Sequence, residues 1–385
     1  MTLSNPAVVP ARPLNGTKVI EFCQVAAGPF CGMLLADFGA EVIKVEPPEG
    51  DAMRHWPPIT QGFSENFASL NRGKRSIALD LKNPHHLETA RRLALEADVL
   101  VENNRPGAMA RLGLGWEWFQ SRKPQLVYCS ISAFGQSGPR SSQGGYDLTI
   151  QAASGVMSVT GESDGAPVKA GVPVADFTSG LYAAFSIAAM LHRARRSGTG
   201  GHIDVPMFAA TLAISALQTS EFFGTGSNPA KMGSAHPRNA PYQAYEARDG
   251  WFVIAAGNNR LWQSVCVVTE QLHLAQDERF KTPALRARHQ VELKALLDPS
   301  FCSKPVDFWL ESFAAAGVPC SSINGYREAL EDPQADHLEL VREQVLPGGK
   351  STRTVGCPIR IDGRSLDVDT CPPALDQDGP ALRSK

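Results

Sequence analysis

The first 130 residues alternate between two kinds of segment, and this alternation restricts the fold more than any other feature of the sequence. Five short runs rich in β-branched and apolar residues occur at 18–22, 41–46, 76–80, 98–102 and 126–132. The stretches between them, such as 30–38 and 86–97, carry apolar residues at helical spacing. Strands that alternate with helices predict a parallel sheet that is covered by helices.

A change in composition near residue 224 indicates that the chain forms more than one domain. Its 385 residues are 43% apolar, which suits about two domains of ordinary size. The segment 224–241 is rich in Gly, Asn, Pro and Ser, and 242–256 has the pattern of a hairpin with Asp249-Gly250 at its turn. We predict three parts: a large Rossmann-like α/β domain at 1–224, a small α+β domain at 225–325, and a C-terminal segment at 326–385 that returns to the large domain.

Charge and cysteine content argue against several classes of function. The 37 basic and 39 acidic side chains nearly cancel, so no global field would attract nucleic acid or anionic lipid. The longest strongly apolar stretches, such as 181–191, are shorter than the roughly 20 residues that cross a bilayer. The eight cysteines form no Cys-x-x-Cys pair, and the first fifteen residues lack the pattern of a secretory signal. We expect a cytoplasmic protein with reduced thiols that binds neither nucleic acid nor membrane.

Two local motifs imitate a cofactor site and a hydrolase site without meeting their requirements. The first predicted strand, turn and helix resemble a dinucleotide-binding unit, but only Gly28 and Gly32 fall where Gly-x-Gly-x-x-Gly is needed. We therefore expect no nicotinamide cofactor. Residues 161–165 match the Gly-x-Ser-x-Gly of a hydrolase elbow around Ser163, yet Pro167 stands where the helix of an elbow would continue.

A hairpin turn explains this second motif better than a nucleophile does. Asp164-Gly165 is a typical turn pair, and it lies between apolar segments at 156–160 and 168–174 that we predict to be strands. The nine histidines show no spacing typical of metal ligands, so the sequence predicts no metal site.

The segment 171–184 places an acid, Asp176, between a short apolar strand and an Ala- and Leu-rich helix predicted for 176–193. Two explanations fit this acid. As an N-cap, Asp176 would accept hydrogen bonds from the amides two and three residues later. As a nucleophile, it would stay ionised at a helix start, at the end of the sheet where α/β proteins bind ligands. Spacing alone does not choose between the two.

A set of longer motifs runs through most of the chain. They are Ala27-Gly28-Pro29, 35–46 (LADFGAEVIKVE), 71–76 (NRGKRS), 101–107 (VENNRPG), Gly145-Tyr146-Asp147 and 172–180 (VPVADFTSG). Together they resemble the class III CoA-transferases, the CaiB/BaiF group that includes the carnitine, bile-acid and formyl-CoA enzymes. The catalytic aspartate of that family falls on Asp176, which favours the nucleophile and leaves a role as both cap and nucleophile open.

The resemblance implies an enzyme that transfers coenzyme A between carboxylic acids, with acyl-CoA as substrate. Asp176 would attack the donor thioester to give a mixed anhydride, and the released thiolate would form an aspartyl-CoA thioester. An acceptor acid would then repeat these steps in reverse. The residues implied to line the coenzyme path are Val25, Ala26, Ala27, Leu79, Asn103, Asn104, Arg105, Arg111, Gly144, Gly145, Tyr146 and Asp147. Arg72, Lys74 and Arg75 are added as candidates because of their charge.

The phosphates of coenzyme A require local cations, because the protein as a whole is nearly neutral. The Arg and Lys residues of the coenzyme path are the candidates. Some relatives have a phosphate-contacting Arg where this chain has Pro47, and we expect Arg54 or Arg72 to substitute for it.

The choice of substrate rests on a subgroup likeness. Residues 233–245 and 256–259 look closest to members that take coenzyme A from succinyl-CoA and give it to short dicarboxylic acids. Lys169, His236 and Arg238 are candidates to bind the second carboxylate of such an acceptor. The alternatives are a 2-methylacyl-CoA racemase of the same fold, which would need a His in place of Tyr146, and a homologue that binds acyl-CoA without turnover. The family also implies an interlocked homodimer.

Overall fold

The computed structural model describes residues 12–366, 368–369 and 371–384 as two compact units. The first unit comprises the described parts of Met1–Val156, Lys169–Ser220 and Asp332–Lys385. The second unit comprises Met157–Val168 and Glu221–Glu331.

The strands and helices follow one another along the chain with short connections. The strands are β1 (Lys18–Phe22), β2 (Glu41–Glu46), β3 (Ile59–Thr60), β4 (Phe63–Ser64), β5 (Lys74–Ala78), β6 (Val99–Glu102), β7 (Val127–Ser132), β8 (Gly201–Pro206), β9 (Tyr242–Ala247), β10 (Gly250–Ala255), β11 (Cys320–Ser322), β12 (Val341–Leu346), β13 (Lys350–Val355), β14 (Arg360–Ile361) and β15 (Arg364–Ser365). The helices are α1 (Ala27–Asp37), α2 (Glu65–Asn71), α3 (Pro84–Glu96), α4 (Ala108–Arg111), α5 (Trp116–Gln120), α6 (Asp147–Ala153), α7 (Val174–Ser197), α8 (Met207–Ile214), α9 (Ala216–Thr225), α10 (Asn259–Val268), α11 (Pro283–Arg288), α12 (Gln290–Phe301), α13 (Val306–Ala315), α14 (Tyr326–Leu330), α15 (Pro333–His337) and α16 (Gly379–Arg383).

A parallel sheet forms the centre of the first unit. Within the described residues it has six strands in the order β5-β2-β1-β6-β7-β8, and every neighbouring pair is parallel. The mixed α/β fold and the five strands expected in the first 132 residues are therefore confirmed. The edge strand β8 was missed, because its sequence, GHIDVP, begins with Gly and ends with Pro and has only one buried position.

The two faces of the sheet pack into separate apolar clusters, because neighbouring residues of a strand point to opposite faces. In β1, Val19 belongs to the cluster that also holds residues of α1 and α7. The next residue, Ile20, belongs to the cluster that holds residues of α3 and α5. Both side chains are almost fully buried, which explains why this strand is a continuous apolar run.

Helix α7 is longer than the helix predicted for 176–193. It has 24 residues, and within the described part of the chain it is the helix whose length and apolar composition would allow it to cross a membrane. Core helices of soluble proteins meet the same criterion. Here α7 contacts α1, α8, β7 and β8 within the first unit. At Gly180 the contact is so close that a Cβ atom would lie 2.8 Å from the Ala27 carbonyl oxygen.

The C-terminal segment covers the edge strand β5. The Ser76 N–H donates to Asp378 Oδ2 over 3.0 Å, and the Ala78 N–H donates to Asp376 Oδ1 over 2.8 Å. The Gly73 N–H is bound by the Cys371 carbonyl. Carboxylates and a carbonyl thus accept the edge hydrogen bonds that another strand would otherwise form.

The second unit contains a three-stranded antiparallel sheet in the order β11-β10-β9. The hairpin expected over 242–256 is confirmed as β9 and β10, which pair from Gly250 and Ala247 to Ala255 and Tyr242. Aromatic side chains of β10, α12 and α13 form its core around Phe252, Phe301 and Trp309.

The hairpin predicted around Asp164-Gly165 is wrong. A turn does occur there, since the Gly165 N–H donates to the Glu162 carbonyl over 3.0 Å. However, 156–158 is a short 3-10 helix, and 159–173, all of it described, contains no strand. The residues flanking the turn are largely exposed, so no apolar face stabilises a strand pair. Ser163 lies in this turn and not at a strand-to-helix elbow.

The contact at Gly180 predicts that a single added methyl group will destabilise the protein. Gly180→Ala places a Cβ against Ala27 and Phe30 in a packed interface, and we expect it to lower the free energy of unfolding by about 1–3 kcal/mol in urea titrations. The control is Gly224→Ala in α9, where nothing lies within 4 Å of the new Cβ. Alanine there should be neutral or stabilise by up to about 1 kcal/mol. A Gly180→Ala protein as stable as the wild type would contradict the packing.

Candidate active site

A cavity of about 540 Å³ opens at the carboxyl ends of β1, β6 and β7. This is the edge at which parallel α/β sheets bind ligands. The residues that line it come from the end of β7, from the loops after these strands and from the starts of the four helices α1, α6, α7 and α8. They are Gln24, Val25, Ala26, Ala27, Asn103, Asn104, Arg105, Pro106, Ile131, Ser132, Ala133, Gln143, Gly144, Gly145, Tyr146, Thr149, Asp176 and Met207.

Asp176 lies in the first turn of α7 and contributes the carboxylate of the cavity. The hypothesis that it is an N-cap is wrong, because the helix begins at Val174 and the N-cap residue is Pro173, which makes no side-chain cap. None of the described residues donates a hydrogen bond to the Asp176 carboxylate. An acid that is not engaged in capping is available to a ligand.

The environment of Asp176 opposes its ionisation. Burial is the larger cause and the charge of Asp147 the smaller, and together they raise the pKa of Asp176 to about 7. The expectation of a carboxylate that is fully ionised at neutral pH was therefore wrong. The helix dipole favours the charged form at this position, but it is outweighed by the loss of water.

Asp147, at the start of α6, holds the beginning of α7. Its Oδ1 accepts the N–H of Ala175 over 2.9 Å, and its Oδ2 accepts the side-chain amide of Gln151 over 2.6 Å. Gln151 in turn accepts the N–H of Ala170. Asp147 thus lies behind Asp176 without lining the cavity, and it fixes the backbone next to the candidate nucleophile.

Two asparagines connect the loop after β6 to the loop after β1. The Gln24 N–H donates to Asn103 Oδ1 over 2.9 Å, and Asn103 Nδ2 donates back to the Gln24 carbonyl over 2.8 Å. Asn104 Nδ2 donates to the Phe22 carbonyl, while the Asn104 N–H is bound by Glu102. These side chains therefore hold two walls of the cavity in a fixed relation.

Arg105 is the cation of the cavity. It is exposed, its guanidinium lies against Gly144, and it forms no ion pair with any residue in the described ranges. An exposed guanidinium without an acid partner is suited to bind a phosphate or a carboxylate.

A second cavity of about 450 Å³ adjoins the first in the same unit. Leu79, Asp80, Leu81 and Lys82 form part of its lining, together with the segment 45–49. Gln24 and Asn104 line both cavities, so the two are neighbours on either side of these residues.

Most of the cations predicted for the coenzyme path are placed elsewhere. The structure gives each of them an acid partner outside both cavities: Arg72 with Asp37 (2.6 Å), Lys74 with Glu21 (2.9 Å), and Arg75 with Glu41 (2.6 Å) and Asp378 (2.9 Å). Arg54, expected to compensate for Pro47, pairs with Glu46 over 2.7 Å. Arg111 is exposed at the end of α4 and lines neither cavity.

The three residues predicted for the acceptor carboxylate are divided between the units. Lys169 belongs to the first unit, is exposed, and donates to the carbonyls of Ala170 and Gly171. His236 and Arg238 belong to the second unit, where Arg238 pairs with Glu221 over 3.2 Å. Burial, and to a smaller degree the charge of Arg238, lowers the pKa of His236.

Sequence reasoning missed several residues of the cavity wall. Ile131 and Ser132 end the strand predicted at 126–132, and Ala133 and Gln24 lie within two residues of the end of a predicted strand, so the rule that ligands bind at carboxyl ends was sufficient to find them. Gln143, Thr149 and Met207 carried no such signal. Among the described residues no cluster of His, Cys, Asp and Glu has the arrangement of a metal site.

Comparison with known proteins identifies the family. The model of CoA-transferase family III matches residues 14–379. The chain is 39% identical to a succinate–glutarate CoA-transferase of Agrobacterium fabrum (87% of this chain, 88% of the relative) and 38% identical to an acetyl-CoA:oxalate CoA-transferase of Acetobacter aceti (100% and 98%). A CaiB/BaiF family protein from Brucella suis has the same fold, with a TM-score of 0.87, 38% identity and coverage of 97% and 99%. The chain therefore belongs to CoA-transferase family III and is a CoA-transferase, as its motifs predicted.

Proposed function

We propose that the protein moves coenzyme A from an acyl-CoA donor to a short dicarboxylic acid, with Asp176 as nucleophile. Succinyl-CoA is the donor that we propose. The observation that carries this proposal is the position of the Asp176 carboxylate. It is partly buried, it does not cap the helix, and it lies in a cavity at the carboxyl ends of the sheet strands. The named acids of two relatives, succinate and glutarate in one and oxalate in the other, support a dicarboxylic acceptor.

In the proposed reaction every covalent intermediate contains an activated carboxyl group, so the free energy of the thioester is retained. The Asp176 carboxylate attacks the donor thioester carbonyl, the C–S bond breaks, and a mixed anhydride and a CoA thiolate result. The thiolate attacks the aspartyl carbonyl, which releases the donor acid and leaves an aspartyl-CoA thioester. The acceptor carboxylate attacks this thioester, which releases the thiolate and gives a second mixed anhydride, between Asp176 and the acceptor. The thiolate then attacks the acceptor carbonyl of this anhydride, which gives the new acyl-CoA and frees the Asp176 carboxylate.

Backbone amides next to Asp176 are suited to stabilise the oxyanions of these steps. Helix α1 begins at Ala27 and contacts α7 at Gly180, one turn after Asp176 on the same face. Ala26 and Ala27 line the same cavity, and their N–H groups donate to no other residue within the described part of the chain. Such preformed donors stabilise developing negative charge without reorganisation.

The two adjoining cavities form the proposed path of coenzyme A. Its reactive end lies with Asp176, between Val25, Ala26 and Ala27 and the segment Gly144-Gly145-Tyr146. Its other end lies in the cavity of Leu79 and Lys82, with Arg105 and Lys82 as the cations nearest to its phosphates. Arg72, Lys74 and Arg75 are left out of this path because their charges are already neutralised by acids.

Racemase chemistry is not favoured by this site. It needs a second base of suitable pKa opposite Asp176. Tyr146 stands where the racemases have His, and a phenol has a reference pKa of about 10.

The first unit also presents an apolar groove of about 1120 Å³ between α1, α7 and β13. Phe185 and Leu181 line it and are 74% and 53% exposed. Exposed apolar surface of this extent is typical of an interaction site. We propose that a second copy of the chain covers the groove in an interlocked homodimer.

The homodimer predicts a sedimentation mass about twice the 41.4 kDa of the chain at micromolar concentration. Phe185→Asp places a charge in the covered groove, so we expect dissociation to the monomer in the same experiment. Val291→Asp, at an 80% exposed position of α12, serves as the control and should leave the mass unchanged. A wild-type monomer at this concentration would refute the dimer.

The proposed activity predicts that succinyl-CoA and one or more acids from oxalate to adipate will exchange coenzyme A, as measured by mass spectrometry. Asp176→Asn keeps the size of the side chain but removes the nucleophile. We expect it to fold, to bind CoA, and to lower exchange by roughly three or more orders of magnitude.

The control for this experiment is Ser163→Ala in the turn of the second unit, which should exchange at the wild-type rate. With donor thioester alone, hydroxylamine should modify the wild-type peptide that contains Asp176. Wild-type exchange by Asp176→Asn, or a covalent label on Asp147 or Ser163, would refute the assignment. Exchange only with monocarboxylic acids would leave the nucleophile in place and refute the dicarboxylic acceptor.

The raised pKa of Asp176 predicts a pH dependence of turnover. Because the nucleophile must be ionised, kcat/KM should rise with pH and reach its midpoint at about 7. Asp147→Asn removes a neighbouring negative charge and should move the midpoint to lower pH, while Glu88→Gln on the exposed face of α3 should not move it. A midpoint below 5 in the wild type would contradict the effect of burial.

The same shift has a consequence for stability that does not depend on turnover. The folded protein binds the Asp176 proton up to about pH 7, whereas the unfolded chain releases it near pH 4. The wild type should therefore lose stability relative to Asp176→Asn as the pH rises from about 4 to 7. Urea titrations at several pH values measure this difference.

A further inference from the structure

The loop between β1 and α1 has its peptide groups held by side chains from other elements. Asn103 forms hydrogen bonds with the N–H and the carbonyl of Gln24, and Asn104 donates a hydrogen bond to the carbonyl of Phe22. Two further peptide groups of the loop, the Cys23 carbonyl and the Val25 N–H, bind charged side chains. Lys44 Nζ donates to the Cys23 carbonyl over 2.7 Å, and the Val25 N–H donates to both oxygens of Asp51, over 3.2 and 3.3 Å.

Val25 adopts a backbone conformation that a β-branched residue rarely takes. Its φ is +65°, in the left-handed region. Such a conformation persists only where surrounding contacts enforce it, and it is concentrated at functional sites. Two contacts can supply the constraint: the hydrogen bonds from the Val25 N–H to Asp51, and the packing of the Val25 side chain against the apolar cluster of Met53, Phe67 and Leu70.

Asp51 is itself fixed in place. Its Oδ2 lies 2.9 Å from Lys44 Nζ, and both side chains are completely buried. Its Oδ1 accepts the N–H of Met53, and its own N–H donates to Glu46, which pairs with Arg54. A carboxylate bound on so many sides cannot move without leaving a charge of Lys44 poorly compensated.

The residues after Val25 are those that line the cavity. Ala26 and Ala27 follow Val25 directly and face the space that contains Asp176, whereas neither Asp51 nor Lys44 lines either cavity. The direction of the chain through Val25 therefore determines where these two amides lie.

We propose that Asp51, neutralised by Lys44, is a positioning residue of the active site. It holds Val25 in the left-handed conformation and thereby places the amides of Ala26 and Ala27 beside Asp176. The inference rests on the proposed function for its effect on turnover, but its structural part is tested by unfolding alone.

The first test is a double-mutant cycle with Asp51→Ala and Val25→Gly. Glycine adopts a positive φ without strain, so Val25→Gly no longer needs Asp51 to hold the loop. The two changes should be non-additive by at least threefold in the unfolding equilibrium constant. Glu270→Gly, at a residue with φ of +57° in the second unit, is the matched control and should be additive with Asp51→Ala.

The second test measures CoA exchange in the same variants. Asp51→Ala should lower kcat about tenfold or more with little change in KM, because the amides act in the transition state. Val25→Gly should restore kcat at least threefold in the Asp51→Ala background, and Glu270→Gly should restore none of it. If Asp51 only neutralised Lys44, Val25→Gly would not restore the kcat that Asp51→Ala loses.

Asp51→Asn keeps the proposal testable if Asp51→Ala does not fold. The amide oxygen can still accept the Val25 N–H, so we expect lower stability but a kcat within about threefold of the wild type. Three outcomes would each overturn the inference: a loss of kcat in Asp51→Asn as large as in Asp51→Ala, additive unfolding free energies in the cycle, or no rescue of kcat by Val25→Gly.

Should the wild type exchange no coenzyme A, the proposed function fails, and the unfolding cycle still decides whether Asp51 holds Val25.

Discussion

The candidate site depends on the close contact between α1 and α7 at Gly180. Only a residue without a Cβ allows α7 to approach the first turn of α1, where the Ala27 carbonyl lies 2.8 Å from the position of the missing atom. This approach brings Asp176, one turn earlier on α7, to the loop after β1. The candidate nucleophile and the amides thus come from two helix starts that are distant in sequence, on the contacting helices α1 and α7.

Burial gives this arrangement its chemical character. Asp176 lies where water is scarce enough to raise the pKa of its carboxyl to about 7. A poorly hydrated carboxylate is a better nucleophile than a hydrated one, and the same dry environment protects an anhydride or thioester from hydrolysis. Lys44 and Lys74, in contrast, are buried with acids and hold the strands and loops around the site.

The sequence was sufficient for the central sheet because each strand is a short apolar run with clear ends, as in β1 and β2. It was insufficient where the deciding partner is remote in the chain. Arg75 binds Asp378, 303 residues away, and Arg72 binds Asp37, so neither is the exposed cation that its motif suggested. Asp176 was misjudged as a possible cap because the helix already begins at Val174, two residues earlier, with Pro173 as its N-cap. The family motifs favoured a catalytic role for Asp176, while the geometry of Val25 and Asp51 left no signal in the pattern.

The cover over β5 has a consequence for synthesis of the protein on the ribosome. Asp378 reaches Ser76 across 302 residues, so the edge of the sheet stays open while the residues between them are synthesised. At about 5–20 residues per second this interval is roughly 15–60 s. During that time the nascent chain exposes an uncovered strand, which is a template for pairing with another chain. The need for chaperone protection should therefore extend over the synthesis of all these residues, and a chain that stops before Asp376 keeps the edge of β5 uncovered.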